Sequence, residues 1–329
     1  DCFPTVLGPQ DDSLGLVRPD IEYPGIKIPG IRFPQVDYRA VRTEPPVSFL
    51  RKFTRERMQR RIKEQFDGIK ADVEHWTYYN GLCRRPIRRV NRPLVVTVLD
   101  FVHEAFGSLD PSGKHIAIKH DAIRAADHLI CISQSTHDEM CERFPEARGR
   151  SSVIPLGTSL ADVTPEPLPA SLVGKPYVLF VGRRNSYKNF AVVWQAWNQL
   201  RGRLPQDAKL VLAGPPMKRR EATELNWRDD GSAVLMPNVS DGMLRTLYTH
   251  SQGFLFPSKA EGFGLPSLEA MSAGTPVMVS DLPVMREVVG DSGYYFDPND
   301  TEMVASMILS AMTDDLPDKQ AMIQRGRER

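Results

Sequence analysis

The sequence predicts an α/β protein of two parallel-sheet domains, and its length, its alternation of elements and one proline-rich break carry that prediction. Its 329 residues exceed what a single core usually organises. Short apolar runs suited to strands alternate with stretches of helical periodicity, and such βαβ alternation builds parallel sheets. Residues 160–176 break the pattern with four prolines and read as the connection between domains. Two Rossmann-like domains facing each other across a cleft follow from that order, with ligands expected at the carboxyl ends of the strands.

The first domain is assigned to residues 1–160, the linker to 161–176 and the second domain to 177–329. In the opening region Pro19, Pro24, Pro29 and Pro34 recur every five residues. This reads as an extended segment or sheet edge, because proline cannot donate to a ladder. Residues 47–66 read as a charged helix. ADVEHW and PLVVTVLD read as strands, the second apolar enough to be buried on both faces. Helix HIAIKHDAIRAA, strand HLICIS, helix STHDEMCERF and strand SSVIP complete the first domain. Beyond the linker YVLFVG, KLVLAG, AVLM, GFLFPS, PVMVS and YYF read as strands, each followed by a helical pattern.

Composition narrows the function classes. A formal net charge of +1 gives no reason to expect wholesale nucleic-acid binding. The basic run RRPIRRVNR at 84–92 reads either as a solvated loop or as a patch facing anionic lipid or a phosphorylated acceptor. The cysteines at 2, 83, 131 and 141 form no close pair of the metal-site type, which suits a reduced, cytosolic setting. No run reaches the length of a bilayer span, and no charged-then-apolar leader is visible. Any membrane contact is expected to be peripheral, on the inner face.

The most informative stretch is EGFGLPSLEAMSAGTPV, beginning at Glu261. It sets Glu261 and Glu269 around a glycine turn that opens a helix. Gly262 and Gly264 let backbone approach a ligand closely, and Pro266 sits where a first helical turn tolerates a missing N–H. Free N–H groups at such a helix start attract a diphosphate, and Glu269 rises about one turn further on, within reach of a ribose. Gly274 and Pro276 then stop the helix. Arg183 and Lys188 follow the strand YVLFVG, on the turn where a ligand-facing loop belongs.

Glu261, seven residues, then Glu269 resembles the signature of the retaining glycosyltransferases with the GT-B fold, family 4, group 1 in particular. The resemblance continues through FVGRRNSYKNF, KLVLAGP, PNVSDGMLRTLY and SDLPVMREVVGDSGYYFDPND, from about residue 176 to 300, and leans toward bacterial mannosyltransferase-like enzymes of surface-polysaccharide synthesis. It implies a nucleotide diphosphate sugar, GDP-mannose or a UDP-hexose, as donor and a saccharide or lipid-linked molecule as acceptor, with no further cofactor. Arg183 and Lys188 match the family's phosphate-binding pair. Glu261 would bind hexose hydroxyls and support positive charge at the anomeric carbon, and Glu269 would take the ribose. Amides of Phe263, Gly264 and Leu265 would complete the cradle, with Gly214 and Val239 bordering the base. Relatives usually open with an apolar strand and a glycine-rich turn and close with a helix packing back on the first domain. Here the first strand is missing or atypical, and part of that last helix is expected to be absent.

The acceptor side departs from the pattern. Where relatives carry His followed by Asp after a strand, this chain has Leu99 and Asp100. Asp100 and His103 are the acceptor-side catalytic candidates, with Glu104, His75, Ser133 and Thr158 as neighbours. Retention in the family is ascribed to same-face attack with the leaving phosphate as base, which needs no protein nucleophile. The absence of an Asp-x-Asp triplet suits a metal-independent reaction, in which fixed cations and a helix start supply the positive field. The linker after Leu160 is expected to act as a hinge for closure. A glycosidase reading is weak because both glutamates sit on one motif rather than flanking a bond. A dehydrogenase reading lacks the third glycine of the fingerprint. A nucleotide-sugar-binding protein without transfer, or an epimerase or hydrolase on the same fold, remains the alternative.

Overall fold

The computed structural model describes residues 72–79, 93–184, 186–228 and 230–329. The expected 47–66 helix, the proline repeat, the atypical first strand, the basic run at 84–92, Cys2 and Cys83 lie outside the described residues. The chain divides into two compact units. One is drawn from residues up to 98 with 110–130 and 144–152, and the other from 99–109, 131–143 and 153–329.

The first unit carries a sheet of order β1-β2-β3-β4, in which β1 (Glu74–Trp76) runs parallel to β2 (Leu94–Val98). β3 (His128–Cys131) and β4 (Ser151–Val153) follow at the other edge. β2 corrects an expectation. Leu94, Val96 and Val98 are fully buried, but Val95 and Thr97 on the opposite face are only partly covered. That second face is polar, since His75 Nε2 and Thr97 Oγ1 share a hydrogen bond of 2.8 Å. α2 (Lys114–Ala125) belongs to this unit, while α1 (Val102–Ala105) and α3 (Gln134–Arg143), before and after it in the chain, belong to the second.

The second unit holds a six-stranded, wholly parallel sheet of order β10-β9-β8-β5-β6-β7. Its strands are β5 (Tyr177–Val181), β6 (Lys209–Gly214), β7 (Ala233–Pro237), β8 (Gly253–Phe256), β9 (Val277–Ser280) and β10 (Gly293–Phe296). Strand periodicity splits the core into two layers. Val178, Phe180, Leu210, Leu212 and Leu255 face one cluster with Phe190, Trp194 and Trp197 of α4 (Phe190–Gln199). Leu179, Val211, Ala213, Phe254 and Phe256 face the other, with Met271 and Met285. Burial on both faces is what makes these strands read as continuous apolar runs.

The remaining helices are α5 (Arg219–Glu224), α6 (Asp241–His250), α7 (Leu265–Ser272), α8 (Pro283–Val289), α9 (Thr301–Met312) and α10 (Lys319–Glu328). Side-chain caps fix two of them. Ser240 accepts from the Met243 amide at 3.1 Å and Asp300 from the Met303 amide at 2.9 Å. The proline-rich stretch packs within this unit. Leu172 is fully buried, the Glu166 amide donates to the Gly242 carbonyl at 3.3 Å, and Thr246 Oγ1 donates to the Glu166 carbonyl at 2.5 Å. Strand order reverses between β5 and β8, so their carboxyl ends form the switch point at which such sheets bind ligands.

Candidate functional site

The turn after β5 is shaped by a close approach of two strands. Gly182 continues the ladder by donating to the Ala213 carbonyl at 2.8 Å, and an added Cβ at Gly214 would lie 2.3 Å from the Gly182 carbonyl oxygen. Only glycine fits position 214. Two adjacent arginines then diverge. Arg184 is buried, its Nε donating to Glu221 Oε1 at 2.7 Å and an Nη to the Pro215 carbonyl at 2.7 Å. Arg183 is exposed beside the turn. The sequence assigned Arg183 a ligand role and gave no signal for Arg184, whose partner lies 37 residues away.

Residues Ser186–Lys188 form a 3-10 turn, closed by Asn189 in the left-handed region at φ 52°. Asn189 Nδ2 donates to the Pro298 carbonyl at 2.7 Å, and the Lys259 amide donates to the Tyr187 carbonyl at 2.8 Å. The second bond ties the β5 turn to the β8 turn. Across that tie Lys188 Nζ donates to Glu261 Oε1 at 2.6 Å, with both side chains largely buried. Two residues read separately from sequence are thus one charge-assisted pair.

Gly262 follows directly. A Cβ there would meet the Leu99 carbonyl oxygen at 1.9 Å and Asp100 Cβ at 2.9 Å. Its own carbonyl accepts from Ser133 Oγ at 2.7 Å and Thr136 Oγ1 at 3.1 Å. Gly264 takes φ 91° as the residue before α7, and a Cβ there would strike Met285. Pro266 falls in the first turn as expected. Among the described residues no backbone hydrogen bond engages the amides of Phe263, Gly264 or Leu265.

One turn into α7, Glu269 Oε2 accepts from the Tyr248 hydroxyl at 3.2 Å. Burial pushes the Glu269 carboxyl up to about 7, with the Asp241 charge adding to the rise and the Tyr248 bond opposing it. Burial likewise holds the Tyr248 phenol well above its ordinary range.

Asp100 stands against the glycine turn and accepts from the Val102 amide at 3.0 Å, opening α1. His103 lies within α1, partly buried. Val239 packs on the apolar cluster that holds Val181 and Met236. Ser133 turns out to be a backbone clasp, and Thr158 donates no side-chain contact to the turn but caps locally, accepting from the Leu160 amide at 3.1 Å. Tyr187 was not anticipated. Burial pushes its phenol up to about 12, with Glu261 and Asp100 acting the same way and Arg183 against them. These charges place Tyr187 among the candidate residues.

Two family models cover nearly all of the chain: one for glycosyltransferase family 4 matches residues 13–162, and one for glycosyl transferases group 1 matches 169–329. The chain is 31% identical over 210 residues to the O-antigen chain mannosyltransferase B of Escherichia coli, covering 60% of this chain and 54% of that protein. It is 41% identical over 85 residues to the O-antigen chain mannosyltransferase RfbU of Salmonella typhimurium, covering 26% of this chain and 24% of that protein. The matched stretches thus span about half or less of these relatives. Sucrose-phosphate synthase from Thermosynechococcus elongatus shares the fold with a TM-score of 0.66 at 20% identity, over 84% of this chain and 73% of that one. Among the described residues no helix is long and apolar enough to cross a membrane. With the glutamate turn at the switch point and family models on both halves, the chain belongs to the group 1, family 4 glycosyltransferases of GT-B fold.

Proposed function

We propose that the chain is a retaining, metal-independent glycosyltransferase that moves mannose from a nucleotide diphosphate donor to a saccharide or lipid-linked acceptor in surface-polysaccharide synthesis. The observation that carries this reading is the Lys188–Glu261 pair at the carboxyl ends of β5 and β8. It supports the reading because the pair sets a cation suited to a leaving diphosphate beside a carboxylate suited to hexose hydroxyls. The names of two curated relatives support mannose as the sugar, since both are O-antigen chain mannosyltransferases.

In this mechanism Arg183, Lys188 and the amides of Phe263, Gly264 and Leu265 receive the diphosphate, whose negative charge grows as the sugar bond breaks. Lys188 meets the phosphate while still bridged to Glu261, so one ammonium serves both anions. Glu261 holds the hexose and opposes the positive charge developing at its anomeric carbon. Glu269 takes the ribose hydroxyls, and Gly214 and Val239 border the base. Asp100, held against the Gly262 turn, faces the acceptor side with His103 next along the chain. The phosphate oxygen serves as base for the incoming hydroxyl. Leu99, where relatives carry histidine, also favours a second reading in which donor is bound without transfer.

The deciding measurement is anomer-resolved NMR of products from GDP-mannose, and separately UDP-glucose, with and without mannobiose and with EDTA present. An α-linked mannosyl product formed in EDTA supports the proposal. Donor binding without product supports the second reading, and a β-linked product or recovery only on adding magnesium overturns the mechanism.

A further inference from the structure

We propose that the rings of Phe106 and Tyr187 form a platform that binds the pyranose ring of the acceptor saccharide. This rests on the glycosyltransferase reading above and adds to it a residue pair for the acceptor. The ring centroids lie 5.9 Å apart with planes inclined at 44°, and both residues are partly exposed.

Both rings are held from the backbone. The Phe106 amide donates to the Val102 carbonyl at 2.9 Å at the end of α1, and its carbonyl accepts from the Leu109 amide at 2.9 Å. Tyr187 sits in the 3-10 turn whose carbonyl is tied to Lys259, with the Lys188 ammonium 5.2 Å from its ring centroid. An aromatic pair fixed in this way gives up little conformational freedom on binding.

Charges of both signs stand beside Tyr187. Asp100 and Glu261 both act electrostatically on Tyr187, and Glu261 is bridged to Lys188 next to it. Aromatic surface with carboxylates and cations beside it suits an amphipathic ligand, one with an apolar C–H face for the rings and hydroxyls that can donate to or accept from the charged groups. A pyranose has both, whereas a nucleobase lacks the row of hydroxyls and a lipid chain lacks any. Phe106 belongs to the segment that carries Asp100 and His103, which assigns the ring to the acceptor sugar. Tyr187 follows β5 beside Lys188, which the mechanism gives to the donor diphosphate, so a sugar on the pair sits next to the donor.

Saturation-transfer NMR of mannobiose against the full chain tests the platform directly. Wild type and Tyr187→Phe should transfer saturation most strongly to the axial protons of one sugar face. Tyr187→Leu and Phe106→Ala should lose that pattern and raise the acceptor KM about tenfold, the worth of an aromatic contact. Calorimetric affinity for GDP and UDP should stay the same in all variants. Mannobiose binding unchanged in Tyr187→Leu would overturn the proposal, as would saturation spread evenly over the sugar in wild type or a loss confined to nucleotide affinity. Absence of transfer with every donor would count against the proposed reaction, while the mannobiose pattern is read independently of turnover.

Discussion

Glu261 and Glu269 sit eight positions apart on one motif, yet their surroundings make them different chemical groups. Glu261 is ion-paired to Lys188 at 2.6 Å. Glu269 is half-buried on α7 with a phenol as its hydrogen-bond donor, and desolvation pushes its carboxyl up to about 7. Glu261 meets a cation directly, while desolvation leaves Glu269 near half-protonation at neutral pH. The same residue in the same motif therefore contributes charge at one place and a proton-dependent acceptor at the other.

The largest expected effect separates the two by rate. Glu261→Gln keeps the shape and removes the charge, so transfer should fall about a hundredfold while nucleotide affinity is unchanged or slightly improved, because Lys188 is released to the phosphate. Steady-state kinetics paired with GDP calorimetry measures both. Equal losses in Glu261→Gln and Glu269→Gln would erase the distinction.

Next in size is the ion pair itself. Lys188→Ala should weaken nucleotide diphosphate binding by about tenfold or more, from a charge-assisted contact worth about 1.5–3 kcal/mol. It should also lower the melting temperature, since Glu261 is left largely buried without its partner. The double variant Lys188→Ala with Glu261→Gln should recover that stability but not the affinity. A double variant no more stable than Lys188→Ala would show that the pair contributes little to the fold.

The smallest effect on binding is on its pH dependence. Glu269 keeps its proton in the folded chain above the ordinary carboxyl value of 4.5, so stability is fully present below about 4.5 and is lost as pH rises through about 7. The full loss is on the order of 3 kcal/mol if the shift is complete. Nucleoside affinity should move the other way, rising about fourfold between pH 6.5 and 8 as the carboxylate forms. Thermal melts and adenosine or guanosine nucleotide titrations across that range should flatten in Glu269→Gln. A wild type with flat profiles would place Glu269 in a wetter site than the structure gives it.

Much of this arrangement was legible in the sequence. The six strands of the second unit announce themselves because burial on both faces demands continuous apolar runs, and the helix start at Pro266 follows from glycine and proline chemistry. What could not be read was convergence. Nothing local tells Arg183 from Arg184, because the groups that hold Arg184, Glu221 and the Pro215 carbonyl, lie more than thirty residues on. Lys188 and Glu261 meet across 73 residues, and Leu99 touches Gly262 with its carbonyl rather than its side chain. β2 was read as buried on both faces because His75, the partner that makes one face polar, lies 22 residues away from Thr97. The raised carboxyl of Glu269 depends on packing that no motif encodes.

The clasp on Gly262 bears on how the chain reaches its native state. Its carbonyl is held by hydroxyls 129 and 126 residues earlier in the chain, and its α-carbon has room only where the Leu99 backbone permits. Contacts of such sequence separation form after local ones, since the loop they close must lose its entropy first. Even the longest pairing in the six-stranded sheet, β5 with β8, closes a shorter loop than the clasp does, so the sheet can assemble while the glutamate turn is still unset. Maturation of the site is expected late in folding, so a refolding chain should regain its sheet signal before it regains nucleotide affinity.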